Sequence, residues 1–333
     1  MSKNVTIKDI ASHTGLSVTT VSKVINGHPD ISQKTQERVL GAIDEMGYIP
    51  NIMASNLRKN KANLIALLLS DISKPYFSEV ISGYEKVLLK AGYQTLIFSS
   101  VEDSERESNL IRQLSSINLA GIIIDLAQNG AKNIELLENI GIPYVFSNRF
   151  VHVNEGYYVA ADNKKAGYIA TRHLLEVKPG NPVLYVNGPD DISPTEMRYL
   201  GYCMALDEVG IGRNEEWVFG NHYGLEDAFR TGLFIAKTFK PPYSIFCATD
   251  QIAIGVLRAL KDNQVNVPED VSVIGVDDID IAKYVSPSLS TISLPKELIG
   301  EKSAEMLISL IKNEIIEQPR CLLSPELVIR ETT

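Results

Sequence analysis

The sequence predicts a small all-α unit followed by a larger α/β part built on parallel sheets. Residues 6–26 read TIKDIASHTGLSVTTVSKVIN, the pattern of two short helices around a tight bend. From residue 62 onward, short apolar runs alternate with helical stretches, which favours parallel strands buried on both faces. Residues 1–62 hold eight Lys and Arg against five Asp and Glu, whereas residues 63–333 hold 24 against 36. A basic head on an acidic body indicates a polyanion-binding module joined to a part with another task.

The first two helices are predicted from their caps and from their apolar spacing. Thr6 and Asp9 form a capping box, so the first helix begins there, with Ile7, Ile10 and Ala11 on one face. Gly15 can take the positive φ of a sharp turn, and Ser17 caps the second helix. The outer face of that helix is short, polar and free of carboxylates, which suits contact with DNA. Its inward positions are Val21, Val24 and Ile25, and its outward positions are Val18, Thr19, Ser22, Lys23 and Asn26.

A third helix and a short basic segment complete the head. Ser32 is predicted to cap the third helix, whose apolar face closes a small core: Val39, Ile43 and Met46, with Tyr48. Residues 51–60, NIMASNLRKN, can form about two helical turns, but isolated helices below about 12 residues are marginal in water. Composition alone favours a flexible basic linker at that position.

The α/β part is predicted to contain two successive β-α series with a seam near residues 161–165. Two late strands, near residues 289–294 and 327–330, are expected to cross back between the halves. The earlier predicted strands are residues 64–69, 95–98, 121–125, 144–147, 182–186, 244–248 and 271–276.

Several classes of protein are disfavoured by what the sequence lacks. Cys203, Cys247 and Cys321 are odd in number and widely spaced, which is typical of reduced thiols in a cytosolic protein. The longest apolar run is far too short to span a bilayer, and the N-terminus has no signal-peptide core. Nucleotide-binding loops, zinc-ligand spacings and a nucleophile elbow are missing from the sequence. We therefore expect a cytoplasmic non-enzyme without membrane segment, cofactor or metal.

The head resembles the headpiece of the lactose-repressor family of bacterial transcription regulators. The matching elements are TIKDIA, the S-x-x-T-V-S-x-V-I-N run ending at Asn26, and Y-x-P-N followed by A-x-x-L at residues 54–57. The resemblance extends over essentially the whole chain. It implies a helix-turn-helix headpiece over residues 1–50, a hinge helix over residues 51–61 that enters the minor groove as a pair, and an effector-binding and dimerisation domain over residues 62–333.

The DNA contacts are expected from the second helix and the hinge. Val18, Thr19 and Lys23 are the predicted base readers, because Lys23 can donate to guanine and Val18 can contact a thymine methyl. Leu57 matches the family's leucine wedge. The remaining expected contacts, which hold phosphates or the turn or follow from the resemblance, are Thr6, Ser17, Thr20, Ser22, Asn26 and Ala54.

The α/β part is similar to the two-lobed fold of periplasmic binding proteins, which the family uses as its regulatory domain. This implies one lobe of roughly residues 62–162 plus 293–323 and another of roughly 163–292 plus 324–333. Small molecules bind at the ends of parallel strands in such folds. The expected effector contacts are Asp71, Tyr76, Phe77, Asn148, Arg149, Arg198, His222, Thr249, Asp250 and Asp277.

The chemistry of these contacts leaves the class of effector open. Arg149, Arg198 and His222 favour an anion such as a sugar acid or sugar phosphate. Asp71, Asp250 and Asp277 favour neutral hydroxyls, although each can also act only as a helix cap. The chain departs from the family at Leu294, at residues 192–194, and at His222, where an aromatic ring is usual.

We therefore expect an effector-responsive regulator of transcription, a repressor of a carbohydrate or sugar-acid utilisation operon. It should bind a near-palindromic operator as a homodimer through paired headpieces. The effector is expected to be a sugar, a sugar acid or a sugar phosphate. A binding protein that only transports or senses sugar shares the two-lobed domain, but it would carry a signal peptide and no headpiece.

Overall fold

The computed structural model describes residues 5–26, 28–48, 62–150, 156–220 and 222–333. It divides into two compact units, Met1–Ala62 and Asn63–Thr333, which are described separately below. The expected hinge over residues 51–61, including Ala54 and Leu57, lies outside the described residues. The predicted fold class, a small helical head followed by a two-lobed α/β domain with parallel sheets, is confirmed.

The described part of the head contains three helices, α1 (Ile7–Thr14), α2 (Val18–Ile25) and α3 (Gln33–Met46). Both hydrogen bonds of the Thr6 capping box are present, and Gly15 ends α1 in the left-handed conformation at φ 60°. Ser17 caps α2 by accepting from the Thr20 N–H, and Ser32 caps α3 in the same way. The caps predicted from the sequence therefore define where each helix begins.

The core of the head lies where the three helices meet. The predicted α3 face is partly different, since Val39 and Ala42 are buried, whereas Ile43, Met46 and Tyr48 pack only at its edge. The buried core residues are Ile10, Ala11, Val21, Val24, Val39 and Ala42.

The second unit holds two six-stranded sheets. The strands are β1 (Leu64–Leu69), β2 (Gln94–Ser99), β3 (Leu119–Ile124), β4 (Tyr144–Ser147), β5 (Tyr158–Ala161), β6 (Val183–Val186), β7 (Val218–Phe219), β8 (Tyr243–Cys247), β9 (Val271–Asp277), β10 (Ser290–Ser293), β11 (Arg320–Leu323) and β12 (Glu326–Val328). The helices are α4 (Tyr76–Lys90), α5 (Ser104–Leu114), α6 (Ile134–Ile140), α7 (Asn163–Val177), α8 (Ser193–Glu208), α9 (Leu225–Thr238), α10 (Asp250–Asp262) and α11 (Lys296–Ile311).

Each sheet forms the centre of one lobe. The first has the order β11-β5-β4-β3-β1-β2, and all its neighbours pair in parallel. The second has the order β12-β10-β9-β8-β6-β7 and is parallel except for β12, which pairs antiparallel with β10. Parallel strands align their carboxyl ends at one edge, and that edge of each sheet faces the cleft between the lobes.

The chain passes between the lobes three times, at residues 161–163, 293–296 and 323–326. As expected, the chain crosses between the lobes beside both late strands, directly after β10 and directly before β12. Both β10 and β12 belong to the second sheet, and the returning strand is β11, which the sequence did not reveal. At the first and third passages, the Asp162 N–H donates to the Leu323 carbonyl oxygen at 2.8 Å.

Helix α11 is fixed to the first lobe by backbone contact with α4. A Cβ added at Gly83 would lie 2.1 Å from the Glu297 carbonyl oxygen, and one at Gly300 would lie 2.2 Å from that of Val80. Only glycine fits at both positions, so α11 belongs mechanically to the lobe formed by β1–β5. None of the described helices has the length and hydropathy required to cross a bilayer.

Candidate functional site

The outer face of α2 carries the predicted base readers. Val18 is 37% exposed, and Thr19 beside it is exposed as well. The Lys23 ammonium is not simply solvated, because it donates to Asp30 Oδ2 at 2.7 Å. His28 Nδ1 lies 3.3 Å from the other oxygen of the same carboxylate. The predicted carboxylate-free surface therefore has one acid at its edge, contributed by the loop that follows the helix.

The other polar residues of this region bond within the head. The Asn26 amide donates to the Ser22 carbonyl oxygen at 2.6 Å, and the Ser17 and Thr20 hydroxyls are 2.9 Å apart. Thr6 holds the start of α1 through its bonds with Asp9. The Thr6 and Ser17 contacts position the backbone at the N-termini of α1 and α2, where backbone N–H groups favour anions such as phosphates, whereas the Asn26 contact lies at the C-terminal end of α2.

A cavity lies between the lobes at the carboxyl ends of the strands. Its volume of about 50 Å³ suffices for a few water molecules. Seven of the residues predicted to contact effector line it, namely Tyr76, Phe77, Asn148, Arg149, Arg198, Thr249 and Asp277. Six further residues complete the wall, namely Lys74, Pro75, Pro194, Tyr223, Gln251 and Ile279.

Three residues predicted to contact effector lie outside this wall. Asp71 accepts from the N–H and hydroxyl of Ser73 at 3.0 and 2.7 Å, so its carboxylate stabilises its own loop. His222 is exposed, and the ring at the cavity belongs to the next residue, Tyr223. Asp250 is fully buried behind the cavity.

The Asp250 side chain points into the protein interior, where two groups donate hydrogen bonds to its carboxyl oxygens. Thr291 Oγ1 donates to Oδ1 at 2.6 Å, and the Ile279 N–H donates to Oδ2 at 2.9 Å. Burial raises the pKa of Asp250 to about 8, and the nearby Asp277 carboxylate adds to the increase. Asp250 therefore joins α10 to β10 and to the segment after β9, as a neutral group at pH 7.

Arg149 and Lys74 share one carboxylate, that of Glu102. Arg149 donates to both Glu102 oxygens at 2.8 and 2.7 Å and to the Leu126 carbonyl oxygen at 2.7 Å. The Lys74 ammonium also donates to Glu102. Burial alone would raise the pKa of Glu102, but the contacts with Arg149 and Lys74 outweigh it and lower the pKa to about 2. The Glu102 carboxylate is therefore ionised at any ordinary pH.

Arg198 and Asp277 form the corresponding pair on the second lobe. Arg198 Nη2 lies 3.4 Å from Asp277 Oδ1, and its Nε donates to Asn163 Oδ1 at 2.8 Å. Its Nη1 donates to the Ala248 carbonyl oxygen. Burial raises the pKa of Asp277, and the Arg198 charge opposes that shift. The guanidinium is thus held on three sides with Asp277 as its counter-ion.

The backbone at the cavity adopts conformations that L-residues avoid. Asn148 has φ 68°, Asp277 has φ 115° and Asp278 has φ 52°. Lys296 Nζ holds the last two by donating to their carbonyl oxygens at 2.5 and 2.8 Å. Such strain costs of order 1–3 kcal/mol per residue and clusters at binding sites.

Two buried polar atoms on the wall have no hydrogen-bond partner among the described residues. They are the Tyr76 hydroxyl and Arg149 Nε, although Nε lies 3.7 Å from Asp125 Oδ1. A buried donor left unpaired costs about 1–3 kcal/mol. Acceptor oxygens on a bound molecule would satisfy such groups.

The lobes contact each other around the cavity. Lys74 Nζ lies 4.5 Å from the centre of the Tyr223 ring. The Gln128 amide donates to the Asp190 carbonyl oxygen at 3.2 Å, and the Phe150 N–H donates to Ser193 Oγ at 3.1 Å. The cavity is small because these contacts hold the lobes close together.

Sequence reasoning missed Lys74, Tyr223 and Glu102. Glu102 follows β2 at the same sheet edge as the residues that were found, so the strand-end rule applied to residues 95–98 would have indicated it. Within the described residues, no cluster of three or more potential metal ligands occurs.

The chain matches two family descriptions. Residues 6–51 match bacterial regulatory proteins of the lacI family, and residues 171–333 match the periplasmic binding protein-like domain. It is 32% identical over 328 residues to the HTH-type transcriptional repressor PurR of Vibrio campbellii, covering 98% of each chain. It is 31% identical over 329 residues to the NTD biosynthesis operon regulator NtdR of Bacillus subtilis, covering 98% of this chain and 99% of that protein.

The chain is also similar to proteins of known structure. The chain is similar to the transcriptional regulator CelR in complex with cellobiose, with TM-score 0.73, 28% identity and coverage of 99% and 100%. It also shares the fold of the Lac repressor dimer bound to operator and the anti-inducer ONPF, with TM-score 0.87, 24% identity and coverage of 99% of both chains.

Proposed function

This chain belongs to the lacI family of bacterial regulatory proteins, and we propose that it is a cytoplasmic transcription repressor that responds to a small-molecule effector. It binds a near-palindromic operator as a homodimer. The observation that carries the proposal is the presence in one chain of a capped helix-turn-helix with an exposed polar face and a separate polar cavity between two lobes.

The recognition helix of the proposed regulator is α2. Val18 and Thr19 are exposed near its N-terminus, where a helix of this motif contacts base edges in the major groove. Lys23 lies one turn further on and can donate to guanine once it leaves Asp30. Two headpieces then read two half-sites, so the operator mirrors the two-fold symmetry of the dimer.

The effector binds in the cavity between the lobes. The wall combines three aromatic rings, those of Tyr76, Phe77 and Tyr223, with amide, guanidinium and carboxylate groups, which suits a small hydroxylated molecule. A sugar or a sugar derivative meets these requirements and agrees with control of a carbohydrate operon. Because the cavity has room for only a few water molecules, a ligand of this size enters after the lobes separate.

Effector binding changes DNA affinity through the arrangement of the lobes. A ligand can shift the equilibrium between two arrangements of the lobes only if it binds one arrangement more tightly than the other. A tenfold change in operator affinity requires a coupling free energy of about 1.4 kcal/mol between the effector site and the DNA site. The hinge over residues 51–61, with Leu57 as a minor-groove wedge, stays a prediction.

Selection of bound fragments from genomic DNA, followed by a salt titration of the best fragment, tests the proposal. A dimer that neutralises about 6–10 phosphates should lose roughly 10³–10⁵-fold in affinity between 50 and 200 mM salt. Replacing Lys23 with alanine should abolish most of the preference for the selected fragment. Absence of a selected sequence, or affinity that does not change with salt, would refute the proposed function.

A further inference from the structure

Four hydrogen bonds hold the Glu102 carboxylate against Lys74 and Arg149, the two cations that the first lobe contributes to the cavity wall. Its Oε2 accepts from Arg149 at 2.8 Å and from the Gln128 N–H at 3.2 Å. Its Oε1 accepts from Arg149 at 2.7 Å and from Lys74. Both cations that the first lobe presents to the cavity are therefore bonded to the same side chain.

The backbone that carries this carboxylate is held in an unfavourable conformation. Val101 and Glu102 have φ 54° and 57°, and such angles are rare for any residue with a Cβ and rarest for a β-branched one. Val101 is 55% exposed, so packing of its side chain does not impose this shape. The Glu102 N–H donates to the Ser70 carbonyl oxygen at 2.8 Å, which fixes the loop against β1. This strained backbone conformation directs the Glu102 carboxylate towards Arg149.

The cations on the cavity wall are matched by acids. Lys74 and Arg149 share Glu102, and Arg149 also lies 3.7 Å from Asp125. Arg198 has Asp277. An anionic ligand would meet cations whose charges Glu102 already neutralises, and drawing Arg149 or Lys74 away from it would leave a largely buried carboxylate without its partners. Neutral hydroxyls can bond the remaining donors and acceptors without separating any ion pair.

From this arrangement we propose that Glu102 sets the charge class of the effector: by neutralising Arg149 and Lys74 it makes the cavity selective for a neutral polyhydroxylated molecule, and without it the same cavity binds anions. The proposal rests on the proposed function only in taking the cavity as the effector site. It chooses between the neutral and anionic classes that the sequence left open.

Inorganic phosphate is the probe that tests this role, used with the full-length protein and with chloride at matched ionic strength. Calorimetry and thermal unfolding should detect no phosphate binding by the parent protein at millimolar concentration. Glu102→Gln should bind phosphate at least tenfold more tightly than the parent, which corresponds to about 1.4 kcal/mol. Glu138→Gln, an exposed change of equal charge on the first lobe, should behave as the parent does.

A double variant assigns the gain to the cavity. In Glu102→Gln with Arg149→Gln, phosphate affinity should return to the parental level, whereas Glu102→Asp should show no gain because its charge is kept. Phosphate affinity that is equal in Glu102→Gln and the parent, or that rises equally in Glu138→Gln, overturns the proposal. Millimolar or tighter phosphate binding by the parent also overturns it, and this result does not require the variant to fold.

Operator binding by the same preparations separates the two proposals. A parent protein that fails to select DNA refutes the proposed function and leaves the phosphate measurements valid. A parent that binds operator while Glu102→Gln gains no phosphate affinity refutes only the role of Glu102.

Discussion

Arg198 and Asp277 lie 79 positions apart in the chain, and their side chains meet at 3.4 Å on the wall of the cavity. Both are buried, at 4% and 8% exposure. Arg198 comes from α8 and Asp277 from the end of β9, so the pair joins two separate elements of the second lobe. Each is the counter-ion of the other, so a substitution at either residue also removes the charge partner of the other.

Asp277→Asn should weaken effector binding without affecting operator binding in the absence of effector. Asparagine keeps the size of the side chain, can accept from Arg198 and tolerates positive φ, so it adds little strain. Loss of a hydrogen bond to a charged acceptor costs about 1.5–3 kcal/mol, roughly 10–150-fold in affinity. Calorimetry with the effector found by screening provides the measurement.

The control for this change is Asp280→Asn, whose side chain is 91% exposed just beyond the same strand. It should leave effector affinity unchanged. If Asp277→Asn also leaves it unchanged, Asp277 serves only as the counter-ion of Arg198.

Asp250→Asn should flatten the dependence of stability on pH. Burial raises the pKa of Asp250 to about 8, from 3.8 in an unfolded chain. Between these values the folded state holds a proton that the unfolded state has released, so stability falls as pH rises, by at most about 1.4 kcal/mol per pH unit. Asparagine can accept from Ile279 and donate to Thr291, and it does not titrate.

Thermal unfolding of parent and Asp250→Asn between pH 6 and 8 checks this prediction. The melting temperature of the parent should fall more steeply than that of the variant, while the exposed control Asp227→Asn should follow the parent. Parallel curves for parent and Asp250→Asn would mean that Asp250 does not hold a proton in this range.

Asp30→Asn should increase DNA affinity. The Asp30 carboxylate accepts a hydrogen bond from the Lys23 ammonium at 2.7 Å, and it also places a negative charge close to the proposed DNA surface. An exposed ion pair is weak, so the gain should be modest, roughly two- to fivefold. Fluorescence anisotropy with operator DNA measures it.

The double variant Lys23→Ala with Asp30→Asn separates the two causes of that gain. If release of Lys23 is responsible, the second substitution should add nothing once Lys23 is absent. Asp44→Asn on α3 is the matched control for charge and should change affinity less. Weaker operator binding by Asp30→Asn would show that the ion pair positions Lys23 for DNA.

Val101→Asn should stabilise the second unit. Asparagine adopts the left-handed region more readily than valine does, and Val101 loses little burial because it is 55% exposed. Relief of the strain should add about 1 kcal/mol, or 2–4 °C in melting temperature. Val177→Asn, at a half-exposed helical position, should give no increase, and a decrease for Val101→Asn would show that this valine is not strained.

The strands and caps that the sequence predicted are those with a strong local signal. The run at residues 64–69 is continuously aliphatic, the run at 271–276 is mostly β-branched, and the Thr6 and Ser17 caps involve residues only three positions further on. Strands β5 and β11 have weak local signals, because YVAA contains two alanines and RCLL is a four-residue run without β-branched or aromatic residues. They pair with each other across a separation in sequence that no local pattern reveals.

The site was predictable where strand ends alone decide which residues meet. Asp250 and Asp277 both follow apolar strands, yet only Asp277 reaches the cavity, because Thr291 and Ile279 bind Asp250 on the other side. The strand-end rule indicates Glu102 as a candidate, but the direction of its carboxylate depends on left-handed angles at Val101 and Glu102, which no local sequence pattern predicts because neither residue is glycine or asparagine. Tertiary contacts decide both cases.

The three chain passages at residues 161–163, 293–296 and 323–326 restrict how the lobes can move. Two bodies joined at three points slide or twist less freely than two bodies joined at one, and joints that lie near one line leave mainly rotation about that line. The width of a trapped molecule then fixes an angle, and every atom of a lobe moves in proportion to its distance from that axis. A change of an ångström beside Asp277 thus becomes a larger displacement at the far edge of each sheet.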